Sequence, residues 1–392
     1  MSGENILISG ASIAGPALAY WLQRYGFHPT VVERAPALRE GGQAVDFRGP
    51  VHLNLLRKMG LLERIRHRQT DMGVQRVLDS TGKVKLTLPA SFLSGDVEIL
   101  RGDLSEILYE AGAAGTEYVF GDFVTSLTDT GSGVEVTFDR AAPRTFDLVV
   151  GADGLHSGVR SLAFGPESAF THFSGYYYGG AAVPNHLGLD RTGLLYNVPA
   201  RSVSLSSTGG DLAAAGFVFA SPRLDYDRHD SDAQRKIVAE AFHGVGWEVP
   251  RLIKAMTAAP EIYFDSISQV RMDSFTKGRV ALLGDAGYGS TIGGMGSGLA
   301  VIAAYVLAGE LAAARGDHRI AFPAYASRIE PYARGCQKIG GNAGPFLAPA
   351  TSGRLWRRNQ AYRLLANRWF SGYLNKLTTK AASAIDLPDY AG

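Results

Sequence analysis

A chain of 392 residues, 46% of them hydrophobic, has room for two domains that each bury a core, and its formal net charge of +2 lacks the basic excess that nucleic acid would call for. The one cysteine, Cys336, excludes an internal disulfide framework and any Cys-rich metal site. No N-terminal stretch joins a basic start to a long apolar core, so the expected setting is cytoplasmic, without stable membrane association.

Residues 6–8, Ile-Leu-Ile, predict a buried strand that breaks at Gly10 into a turn. A helix opens at Pro16 and ends near Gly26, and a second strand over 29–33 closes on Glu33. Gly10 suits the tight turn, Gly15 lets helix and strand pack closely, and the free amides at the helix start favour an anion. An acidic residue about 20 positions past the turn suits a ribose hydroxyl, so the stretch reads as a dinucleotide site with Ser12 in place of the middle glycine. A plain strand-turn-helix rich in small residues would look similar; the position of Glu33 favours the dinucleotide.

Residues 34–49 read as a loop with an extended piece over 43–48, followed by a short helix over 53–62 and a hairpin over 74–88. A helix follows Arg101, with Asp103 as N-cap and Glu106 completing a capping box, which sets Arg101 beside the helix start where it can pair with an anion. Strands over 118–127 and 134–138 precede a buried strand that runs into a turn at Asp153 and Gly154. From 170 to 274, strands over 176–183, 194–198, 202–207, 212–219 and 262–270, with a helix over 232–243, predict a mostly antiparallel sheet that roofs the first domain. A strand from 280 then ends at Gly284 and Asp285, and a glycine-rich loop leads into a helix over about 297–314, whose start is another positive end. Beyond Pro331 the chain is helical again. Residues 355–374, mixing Trp356 and Leu364 with Arg354, Arg357, Arg358 and Arg363, predict a helix packed across both domains with its arginines on the wet face, in preference to one lying on a membrane.

Three stretches in this order, Gly10 to Gly15 with Glu33, Asp-Leu-Val-Val-Gly-Ala-Asp-Gly at 147–154, and Gly284-Asp285 before a glycine loop, resemble the class A flavoprotein monooxygenases, the family of para-hydroxybenzoate hydroxylase and the tetracycline-inactivating flavin monooxygenases. The resemblance implies an α/β fold: a Rossmann-like FAD-binding domain with a parallel sheet (1–72, 98–170 and 275–350), a mostly antiparallel substrate domain (73–97 and 171–274) and C-terminal helices (351–392) bridging the two. It implies FAD, with NADPH or NADH as a transient co-substrate. Carried over by position, Gly10, Ser12, Ile13, Ala14 and Gly15 would face the pyrophosphate and Glu33 the ribose, while Arg34 and the backbone of Val124 would meet the adenine. Arg101 would contact the ribityl or phosphate, Val45 and Asp46 would pass the flavin ring, and Asp153 would belong to a motif shared by FAD and the nicotinamide. Asp285, Gly294, Met295 and Gly296 would complete the cofactor set.

The aromatic strands offer Tyr177, Tyr196, Phe217 and Phe219 to a small-molecule aromatic substrate, together with Ile292 and Gly293 of the loop and Arg48 for a phenolate or carbonyl. Alternate strand residues face opposite ways, so only some can line a pocket. The scarcity of charge on these strands points to a large, apolar, aromatic or polyketide-like substrate. Two departures from the family stand out. Ser290, Thr291 and Ile292 replace the prolines of the loop, and Gly180 and Ala214 stand where the tetracycline-inactivating members carry a glutamine and a histidine, which argues against tetracycline. The implied activity is hydroxylation through a flavin C4a-hydroperoxide. A cyclase or rearrangement enzyme that keeps FAD without redox turnover, or a protein that sequesters a drug-like ligand, are the alternatives.

Overall fold

A computed structural model of the chain describes residues 3–39, 41–90, 95–290, 296–365 and 384–390. Its centre is a parallel sheet whose middle strand, Asn5–Ser9, has Ile6, Leu7 and Ile8 wholly buried, as a continuous apolar run with helices on both faces requires. His28–Glu33 and then Glu117–Phe120 pair on one side of it, and Leu148–Gly151, Val280–Leu282 and the short antiparallel Thr276–Lys277 on the other. The strand order therefore reverses at Asn5–Ser9, and a crevice opens at the carboxyl ends of the strands there, where open α/β sheets bind ligands.

A second sheet of seven strands lies over that crevice, in the order Tyr263–Val270, Thr171–Pro184, Leu212–Ala220, Arg201–Ser207, Thr192–Val198, Gln75–Leu78, Val84–Leu88. All its pairings are antiparallel except that of Thr192–Val198 with Gln75–Leu78, so the early hairpin extends this sheet. Helices Ser231–Ala241 and Val249–Ala258 cover its back, enclosing a core of Tyr177, Phe217, Phe219, Phe242, Leu252 and Phe264.

Helix Gly296–Ala313 is apolar all round and lies between helices Ala14–Arg24 and His318–Gly340. It is long and apolar enough to cross a membrane, but 78% of it is buried inside this fold. His318–Gly340 runs unbroken through Pro323 and Pro331, so helix begins well before the expected restart at Pro331. Helix Ser352–Leu365 rests on the edge strand Val84–Leu88 and on Thr192–Val198. One of its arginines departs from the expected wet face: Arg358 is buried and donates to the carbonyls of Phe346 and Leu347 and to Asn197 Oδ1, which ties the helix to the sheet.

Candidate active site

The first turn is shaped by close approach. Gly10 has φ of +110°, and a Cβ there would stand 2.5 Å from the Ala152 carbonyl oxygen; one on Gly15 would stand 1.9 Å from the Gly10 carbonyl oxygen. Neither position tolerates a side chain, so helix Ala14–Arg24 sits directly on the strand end with its first amides at the crevice. Glu33 completes the turn from the neighbouring strand: one carboxylate oxygen accepts from the Ala11 amide at 2.8 Å and the other from the Ala35 amide at 2.9 Å. A carboxylate has about four acceptor positions, so both oxygens keep capacity for ribose hydroxyls.

Ser12, the departure from the glycine fingerprint, does specific work. Its Oγ accepts two bonds from the Arg101 guanidinium, at 2.9 and 3.2 Å, which fixes a cation over the turn. Ser105, one helical turn beyond Arg101 and buried, donates to the carbonyls of Ser12 (2.9 Å) and Ala11 (3.3 Å). The sequence reading missed Ser105; a small hydroxyl four residues after a phosphate-side arginine was the available signal. Helix Arg101–Gly112 starts earlier than the expected Asp103 cap, because the Gln43 and Gly41 carbonyls accept from the Arg101 and Gly102 amides. Asp103 and Glu106 instead pair with Arg68.

Across the crevice, a Cβ on Gly284 would lie 3.3 Å from that of Ala14, and one on Gly296 would lie 3.6 Å from Asp285 Oδ1. Asp285 therefore stands at the start of helix Gly296–Ala313. The surrounding walls of the crevice push its pKa up by desolvation, against the opposing pull of Arg101, while the side chain stays open to solvent. Arg34 lies 4.2 Å over the Phe123 ring, and Phe123 adjoins the buried Val124, so the two expected adenine-side positions come together. Val45 and Asp46 lie on strand Ala44–Phe47 beside the loop that caps Arg101. Asp153 turns inward: its carboxylate accepts from the Val159 amide at 3.1 Å and from the Ser157 hydroxyl, and burial raises its pKa. These bonds hold the turn. Gly294, Met295, Ile292 and Gly293 lie outside the described residues, and Gly296 opens the helix.

A cation tied to a turn that excludes side chains, two helix starts and a backbone cradle fit the diphosphate and polyol of FAD. A second depression of about 500 Å³ lies at the opposite end of the central sheet. Its three arginines (Arg279, Arg315, Arg319) face three carboxylates (Glu4, Asp129, Asp317), a balance that favours neither sign of ligand.

The front of the seven-stranded sheet holds a cavity of about 170 Å³ lined by Gln43, Gln75, Tyr178, Ser202, Ser204, Leu88, Leu195, Gly216, Val218, Leu347 and Tyr362. The expected substrate residues of the strands are not among them. Tyr177, Tyr196, Phe217 and Phe219 are all buried in the back core, and their strand neighbours Tyr178, Leu195, Gly216 and Val218 face the cavity. The correction is one of face: side chains alternate along a strand, and the back helices claim the bulky set. Arg48 is paired with Asp46 at 2.5 Å and does not line the cavity.

Comparison with known proteins agrees with this geometry. Residues 4–336 match a family described as an FAD binding domain. A flavin-dependent monooxygenase of Legionella longbeachae is 38% identical over 342 residues, covering 86% of this chain and 87% of the relative. An uncharacterized protein of Mycobacterium tuberculosis, Rv1260, is 42% identical over 82% of this chain and 88% of its own length. The crystal structure of tetracycline destructase Tet(51) superposes with a TM-score of 0.87 at 34% identity, covering 99% of this chain and 100% of that one. FAD is thus the cofactor, and the chain belongs to the class A FAD-dependent monooxygenases.

Proposed function

We propose that the chain hydroxylates an electron-rich aromatic small molecule, with NADPH or NADH as a transient electron donor and dioxygen as the source of the inserted atom. The observation that supports this most directly is the cavity on the front of the sheet: Gln43 lines it, and the next residues of the same segment, Ala44–Phe47, pack against helix Gly296–Ala313, whose start faces the crevice. When bound, FAD accepts a hydride from the nicotinamide and activates dioxygen, so that one oxygen atom goes to substrate carbon and the other leaves as water.

The chain's own residues divide the remaining tasks. Arg101, held by Ser12, and the amides of the first turn would hold the diphosphate. Glu33 would take the ribose, Arg34 and Val124 the adenine end. The start of helix Gly296–Ala313 would favour negative charge developing at the flavin's polar edge. Ser202, Ser204, Gln75 and Gln43 would orient a phenol, enol or carbonyl, while Leu88, Leu195, Val218, Leu347 and Tyr362 keep water away from the reacting carbon. Residues 1–72, 98–170 and 275–350 would then form the cofactor half and 73–97 with 171–274 the substrate half, closed by Leu347 of the former and Tyr362 of the C-terminal segment. Gly180 and Ala214 offer no hydrogen-bonding side chain on this face, so the substrate is read as something other than tetracycline.

The test is oxygen uptake and nicotinamide oxidation by FAD-loaded protein with and without phenolic compounds, followed by mass analysis of product made under heavy oxygen gas. Stimulated consumption with one labelled oxygen in the product is the expected result. Product formed without oxygen from the oxidised enzyme would replace the proposal with a non-redox rearrangement.

A further inference from the structure

Tyr178 occupies an unusual seat. Its hydroxyl and ring carbons come up against two glycines on adjacent, paired strands, Gly180 and Gly216. A Cβ on Gly180 would meet only this ring, at 2.8 Å from the hydroxyl and 3.0 and 3.2 Å from ring carbons. One on Gly216 would lie 3.1 Å from the same hydroxyl. The contact at Gly180 is shorter than real side chains accept, and at Gly216 a Cβ would also stand 2.5 Å from Ser204 Oγ, so the ring seats closely only because both positions are glycine. Gln43 shares the cavity wall with this ring, and the ring centroid lies 5.9 Å from that of Tyr263.

The ring takes the volume that the two glycines leave open, and what remains of the front face is the cavity of about 170 Å³. Sites for drug-sized ligands run roughly 300–1,000 Å³. No charged side chain lines this cavity among the described residues, while hydroxyls and amides do.

We infer that Tyr178, seated on the Gly180 and Gly216 shelf, is the specificity-determining residue of the substrate site and limits it to compact, uncharged, hydroxylated aromatics of one or two rings. This rests on the aromatic-hydroxylase reading and narrows its substrate class. A rigid ring packed against two glycines sets the limit better than a flexible aliphatic would, because moving it opens a void over them.

The experiment measures binding of resorcinol, naphthoresorcinol and alizarin, with one, two and three rings, to FAD-loaded protein by flavin difference spectra. Nicotinamide oxidation is recorded in parallel. Wild type should prefer resorcinol and naphthoresorcinol; Tyr178→Ala should shift the preference toward alizarin by about tenfold or more. Gly180→Ala, which displaces the ring, should weaken naphthoresorcinol in wild type and have no further effect in Tyr178→Ala, a non-additivity that a general loss of fold cannot produce. Retained FAD absorbance and a single cooperative melting transition in each variant show that the fold is kept. An identical ranking of the three probes in wild type and Tyr178→Ala overturns the inference, as does additivity of the two substitutions. Binding that follows the predicted ranking with no nicotinamide oxidation for any probe supports the size limit and overturns the hydroxylase reading on which it was built.

Discussion

The two faces of the seven-stranded sheet are made from alternating residues of the same strands and have opposite characters. Behind, Phe217, Phe219, Tyr177 and Tyr196 interlock with two helices, Tyr177 stacking on Phe264 with the ring planes 4° apart. In front, the residues next to them are Gly216, Val218, Tyr178 and Leu195, with Ser202 and Ser204 between. The back face needs bulk because folding fills it with the chain's own helices, and the front face, with small and hydroxylated residues, leaves a cavity open. Aromatic content along a strand therefore marks which side the protein has covered for itself.

The largest test of this contrast is Phe217→Ala. Its side chain is wholly buried, and truncation should cost about 3–5 kcal/mol and lower the melting temperature sharply while leaving the preference among bound aromatics unchanged. A changed preference without loss of stability would mean that the faces have been assigned the wrong way round. Next comes the seam between the sheet and the cofactor crevice. Arg101→Ala removes a cation and its bonds to Ser12, and FAD affinity should fall about 10–100-fold by flavin fluorescence titration, with the back core, and hence the melting temperature of the FAD-free protein, little altered.

A smaller effect is expected where the turn after Asp153 meets the sheet. His156 is bonded to Glu167 at 3.0 Å and to Asp265 at 3.0 Å. Burial pulls its pKa down, but these two carboxylates outweigh that and raise it from 6.5 to about 9. A folded-state pKa above the unfolded value means that this contribution is complete below about pH 6.5 and is lost as pH rises through 9. The melting temperature should drop by a few degrees over that window, and His156→Gln should flatten the drop. The smallest stability effect belongs to the front face: Ser204→Ala should change stability by less than about 0.5 kcal/mol yet raise KM for a phenolic substrate several-fold, the reverse of Phe217→Ala.

Much of the cofactor side was readable in the sequence because its chemistry is local. Gly10, Gly15 and Glu33 are fixed by a turn, a helix start and the end of the next strand, all within residues 6–33, and the structure brings them together as that spacing requires. Arg101 was readable for its charge beside a helix start, though its anchoring by Ser12 was not, since the two are 89 residues apart. The Asp103 cap failed because a distant loop, through Gln43 and Gly41, satisfied the helix amides first.

The sequence by itself determined that this chain holds a parallel dinucleotide-type core and an aromatic sheet, because strand ends, glycine turns and apolar runs are written in neighbouring residues. Which face of that sheet meets a ligand was decided only by the tertiary structure. A strand's two faces differ by a single step of register, and the choice between them is made by helices 231–241 and 249–258 packing behind and the crevice opening in front.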